Sequence, residues 1–153
     1  MDTTVERTIA ILNDLILINS DRSTAYEKAM KQTVTEDPEL AKVFKTMAAD
    51  SRKYLYELAG HLDPSGQEFL KVIPPTSGRI YQEWSNERKK IVGKDRETVV
   101  TSSKEGEKAI GRAYDEAMKE AISDEVKQVI AEQKNNLRKA LDRINSLQQV
   151  QPI

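Results

Sequence analysis

The feature that most constrains this chain is the spacing of residues along its first long stretch. Val5, Ile9, Leu12, Ile16, Asn19, Ser23, Tyr26 and Met30 fall at alternating steps of four and three. That is the stripe of a helix packed along its length against other helices. Ile11, Leu15 and Ile18 widen the stripe, so the helix should be well buried. It is apolar at both ends and polar in the middle, at Asn19 and Ser23. Three later stretches repeat the arrangement. Leu40, Phe44, Met47, Ser51, Tyr54, Leu58 and His61 mark a second helix. Val100, Ser103, Glu107, Ile110, Tyr114, Ala117 and Ala121 mark a third, and Val126, Ile130, Gln133, Leu137, Ala140, Ile144 and Leu147 a fourth. The pattern predicts one all-α domain over 1–153, a four-helix bundle with long helices at about 4–33, 38–62, 95–121 and 124–148.

Between the second and third long helices lies a connection that is long for a compact domain. Pro64, Pro74 and Pro75 break it, while Ile80, Tyr81, Trp84 and Ile91 give a short extra helix at about 79–91. A connection of that length can cross the whole bundle and leave the second and third long helices parallel, the one-crossover topology of ferritin-like folds. Thr3 or Thr4, Thr35 or Asp37 with Pro38, and Ser123 are placed to start helices. Gly106 and Gly111 each weaken an isolated helix by about 1 kcal/mol relative to alanine, so their expected use is close approach of a neighbour.

Charge and composition remove several function classes. Twenty-four basic and twenty-five acidic residues leave a formal net charge of −1, too little field to recruit nucleic acid or anionic lipid. The run Arg88-Lys89-Lys90 beside Tyr81 and Trp84 then reads as a solvated helix end with the aromatics packed down onto the bundle. The absence of cysteine excludes disulfides, thiolate metal sites and thiol catalysis, and fits a reducing compartment. No apolar run is long enough to span a bilayer, and Asp2, Glu6 and Arg7 interrupt any secretory-signal pattern. The expected location is the cytoplasm, with neither membrane nor nucleic acid as partner.

Six polar positions, Asn19, Ser23, Ser51, Ser103, Glu107 and Gln133, should meet in one slice through the bundle. Such a slice costs stability unless its members hydrogen-bond one another, so its plain role is to fix helix register. A metal site is the sharper alternative. Di-iron carboxylate bundles take a Glu from each of two helices and a Glu-x-x-His pair from each of the others. This chain has a single histidine, His61, and no Glu-x-x-His. The small side chains of Ser23, Ser51 and Ser103 could also leave room for a small ligand. With no phosphate loop and no nucleophile elbow, no catalytic residue is expected. Tyr81 and Trp84, on a crossover outside the bundle, form a candidate partner surface because aromatics are enriched at interfaces.

The residues also carry a resemblance. Leu12-Asn13-Asp14-Leu15-Ile16, Asn19, Asp21-Arg22 and Tyr26-Glu27-Lys28-Ala29 resemble the opening of a bacterial four-helix-bundle family of unknown function placed in the ferritin-like superfamily. Glu105-Gly106-Glu107 followed by Tyr114 resembles that family's third helix, and Trp84 fits its crossover. The resemblance implies a ferritin-like fold and no established activity. It also makes Glu27, Glu107 and Glu132 the stand-ins for ferritin-type ligands, to which the iron- or manganese-binding alternative adds His61. The expectation is a non-catalytic bundle without a cofactor, acting through protein–protein contact as a homo-oligomer or with another protein. Use in stress physiology follows only from how ferritin-like relatives are used. A degenerate iron- or manganese-binding bundle is the alternative.

Overall fold

The computed structural model describes residues 3–62, 78–88, 90–93 and 95–148. Within them the regular elements are all helices: α1 Thr3–Thr33, α2 Pro38–Ala59, α3 Arg79–Glu87, α4 Arg96–Lys119 and α5 Asp124–Gln148. Segment 63–77, expected as the first part of the crossover, lies outside the described residues.

Local chemistry sets the helix ends. The Asp37 carboxylate accepts from the Leu40 N–H at 3.2 Å, with Pro38 as the first residue of α2. Asp95 caps α4 through Thr98, and Ser123 caps α5 through the Val126 N–H at 3.3 Å. Caps of this kind stabilise a helix by about 1 kcal/mol. α2 ends at Ala59 rather than at 62, because His61 and Leu62 donate to the carbonyls three residues back and tighten the last turn. α3 ends at Glu87 rather than at 91. Arg88 turns extended, and Ile91 packs against the apolar cluster beside the end of α1. Gly93 follows in the left-handed region, at φ 103°, where a Cβ would collide with the Thr98 side chain.

α1 and α2 pack along each other as a hairpin, and so do α4 and α5. Contacts from α1 to α4 fall in reverse order. Thr8 accepts from the Ser123 N–H beyond the end of α4, Asn19 meets Tyr114, and Tyr26 meets Glu107. α1 is therefore antiparallel to both α2 and α4, and α2 and α4 run the same way. Their first turns are joined by Arg96, which donates to both Asp37 oxygens at 2.7 and 2.6 Å. α3 packs on α4 and α1. Its start is held by Asp14 of α1, whose carboxylate accepts from the Gly78 N–H at 2.7 Å and more weakly from Tyr81. A Cβ on Gly78 would lie 2.8 Å from Asp14 Oδ2, so glycine is what lets the carboxylate approach.

The apolar interior is divided. One cluster gathers Leu12, Leu15, Leu58, Ile110, Tyr114 and Ile130; the other gathers Tyr26, Phe44, Met47, Val100 and Ile144. Polar residues interrupt α1, α2 and α4 between the two. Two expectations fail on the outer faces. Ile9 is exposed while Thr8 and Ile11 are buried, since a straight helix drifts by about 20° per heptad against a 3.5-residue stripe. A Cβ on Gly111 would meet nothing within 4 Å, so this glycine serves no close approach. No described helix is long and apolar enough to cross a membrane.

Candidate functional site

All six polar positions of the expected slice are buried, but they belong to separate networks. The first is centred on an ion pair that the spacing did not single out. Arg22 donates through Nε and Nη2 to the two oxygens of Glu107, at 3.0 and 2.6 Å. The paired side chains are 5% and 3% exposed. Desolvating two charges costs several kcal/mol per ion, so such a pair persists only with good geometry and further hydrogen bonds. Both are present. The Tyr26 hydroxyl donates to Glu107 Oε2 at 2.8 Å, and Arg22 Nη1 donates to Ser51 Oγ at 2.6 Å and to the Met47 carbonyl at 3.3 Å. The guanidinium also lies 5.0 Å from the centre of the Tyr26 ring, which stacks on Phe44. Burial would favour neutral Arg22, but the Glu107 charge overrides it and holds the guanidinium above its usual range. Burial, with the Glu107 charge, pushes the Tyr26 phenol well above its ordinary value. Tyr26 is a fixed donor here.

The second network sits further towards the start of α1. Asn19 donates to the Leu15 carbonyl and to the Tyr114 hydroxyl, both at 2.9 Å. Tyr114 donates to Gln133 Oε1 at 2.6 Å. Gln133 in turn donates to the Tyr54 carbonyl at 3.3 Å and to Glu57 at 2.8 Å. All four long helices are thus joined through one tyrosine hydroxyl. Burial raises the Tyr114 phenol above its usual range, so it too remains protonated.

The other positions lie apart. Ser23 accepts from Arg52 at 3.1 Å, and Arg52 pairs with Glu27 on the outer side of α1 and α2. Ser103 is buried with no hydrogen-bond partner. Of the metal stand-ins, Glu107 is engaged at both oxygens, Glu27 is half exposed, Glu132 is exposed, and His61 lies 3.9 Å from Glu125. The structure does not bring the four together, and no group of three His, Asp or Glu among the described residues is placed to hold a metal ion. Trp84, offered both as packed onto the bundle and as a partner surface, is packed: it is 6% exposed. Ile80 and Trp84 lie one turn apart on α3 and pack on the first apolar cluster, so the amphipathic helix turns them inward. Tyr81 is partly buried and donates to Asp21 at 2.8 Å.

Spacing could have found what was missed. A further step of four from Ile11, Leu15 and Ile18 reaches Arg22, and Asp14 lies between Ile11 and Ile18 on that same flank. Both are buried. Arg and Asp were passed over because charged residues rarely enter an interior unless paired.

The protein is thus an all-helical chain whose interior holds a buried ion pair and a four-helix hydrogen-bond relay. It belongs to the family described as Domain of unknown function (DUF2383), whose model matches residues 7–120. That span contains α4 and stops before α5, so Arg22, Tyr26, Ser51 and Glu107 lie inside it and Gln133 outside. No curated protein and no solved structure matches the chain.

Proposed function

We propose that the chain is a cytoplasmic, ferritin-like four-helix bundle, with α3 on its crossover, that acts without catalysis through protein–protein contact and associates with copies of itself. One observation carries the non-catalytic part. Glu107, the carboxylate of the layer, is consumed by Arg22 and Tyr26. A buried carboxylate that already accepts three hydrogen bonds and neutralises an arginine is a poor base and a poor metal ligand. The parallel course of α2 and α4 supports the ferritin-like topology.

Support for self-association comes from apolar side chains that the chain leaves uncovered. Val34 and Val92 are 51% and 54% exposed. Val92 lines a groove of about 680 Å³ with Ala29, Thr33 and Ile91, and Val34 follows Thr33 in sequence. Sedimentation equilibrium tests this: a dimer or larger species should dissociate in the Val34→Glu/Val92→Glu double variant. A monomer at every accessible concentration overturns the association. Elemental analysis after growth in iron- and manganese-supplemented medium tests the rest. Near-stoichiometric metal that Glu107→Ala loses would overturn the non-catalytic reading.

A further inference from the structure

Beside the Arg22–Glu107 pair is a pocket of about 70 Å³, walled by α1, α3 and α4. Most of its polar wall is already committed. Arg22 and Glu107 hold each other, and at the rim Asp21 accepts from Tyr81 and Arg88. Two lining residues differ. Trp84 Nε1 and Ser103 Oγ are buried polar atoms with no hydrogen-bond partner among the described residues, and Trp84 and Ser103 are 6% and 1% exposed. A buried polar group without a partner carries its full desolvation cost, so each defines a position where a partner atom is favoured.

The chemistry of that partner follows from the wall. An indole N–H only donates, and a serine hydroxyl donates or accepts, so both are served by an acceptor oxygen. Among the described residues no uncommitted charge faces the pocket, since Arg22 pairs with Glu107 and Arg88 with Asp21, and a charged ligand would be desolvated without compensation. Ile110, Ile91, Ala25 and the Tyr26 ring supply apolar contact. The volume exceeds the roughly 10–15 Å³ that one water requires. Arg88 covers one side, stacked 5.0 Å from the centre of the Trp84 ring and paired with Asp21 at 2.9 Å. Both ends of that pair are more than a third exposed, and exposed pairs of this kind open at little cost. We propose that this pocket binds a small, neutral molecule with an apolar body and an acceptor oxygen, of the phenol or cyclic-ketone class, and that Arg88 is its gate.

The test uses the intact protein. Trp84 is its one tryptophan, so the indole N–H gives a single resonance in a ¹⁵N-correlated spectrum. Titration with phenol or cyclopentanone should move that resonance saturably downfield, while cyclopentane should produce no downfield shift. Ser103→Ala should weaken phenol roughly fivefold or more, the effect of one lost hydrogen bond. Ala25→Leu, at the rim, should abolish the shift, and the variant's stability can be checked by thermal melting. The proposal is overturned by the absence of a saturable shift. It is also overturned by a shift unchanged in both variants, by benzoate binding as tightly as phenol, or by a phenol-soaked crystal with water alone in the pocket.

Discussion

Glu107 and Ser103 lie one turn apart on the buried face of α4, and their surroundings are opposite. Every oxygen of Glu107 has a donor, whereas the Ser103 hydroxyl has no partner. The difference tracks which helices face them. Around Glu107 the partners, Arg22 and Tyr26, both come from α1, and Ser51 of α2 holds Arg22 in place. Ser103 lines the pocket together with Trp84, on the short α3, which covers this region without supplying a matching polar group. The Glu107 carboxylate is answered where long helices converge, and the Ser103 hydroxyl is left open where a short one serves as cover, although Asn19 Oδ1, among the long helices, also lacks a partner.

The largest test of that contrast is Glu107→Gln. It leaves the Arg22 charge buried without its counter-ion, and denaturant melts should show a loss of about 3–5 kcal/mol. The double variant Arg22→Met/Glu107→Leu should recover most of it, because apolar replacement of a buried pair is often neutral. A small loss in the single variant would mean that water reaches the pair and that the region is not closed. Next is Tyr114→Phe, which strips a partner from both Asn19 and Gln133 and should lower stability by about 1–3 kcal/mol in the same melts.

The open side has its own test. Gly78→Ala would push the Asp14 carboxylate off the start of α3. Hydrogen exchange should accelerate in Arg79–Glu87 by roughly tenfold, about 1.4 kcal/mol, while α1 and α4 keep their protection. Equal acceleration everywhere would show α3 to be integral rather than a cover. A pH series checks the closed logic at the start of α2. Hydrogen bonds from Arg96 hold Asp37 below the usual carboxylate range. Its contribution is therefore complete above the unfolded-state pKa and lost as the pH falls through the lower, folded-state value. Asp37→Asn should flatten that part of the acid limb. The smallest effect is expected from Ser103→Ala, within about 0.5 kcal/mol of the parent or slightly stabilising, since no hydrogen bond is lost.

Much of this architecture was legible from spacing alone. The stripes on α2, α4 and α5 placed Ser51, Ser103, Glu107 and Gln133 in the interior, where they lie. What spacing could not supply is which polar residue answers which. Arg22 lies off the four-and-three stripe and its partner is 85 residues away, a pairing of which sequence order carries no sign. Trp84 was legible as part of a short helix, but spacing left open whether it packs on the bundle or faces a partner, and it packs. The direction an isolated amphipathic helix faces depends on what it finds to cover.

The joined first turns of α2 and α4 bear on the order of assembly. The turn between α1 and α2 is short, so that hairpin can close quickly. Arg96 reaches Asp37 across 59 residues, and Tyr26 reaches Glu107 across 81, contacts whose chain-closure entropy must be met before they return anything. Glu107 then stays hydrated until α4 docks, near the end of the folding route. Substitutions there should act chiefly by hastening unfolding and leave the refolding rate almost as it was. The ion pair at the centre of the molecule would thus be a late latch that governs the lifetime of the folded chain.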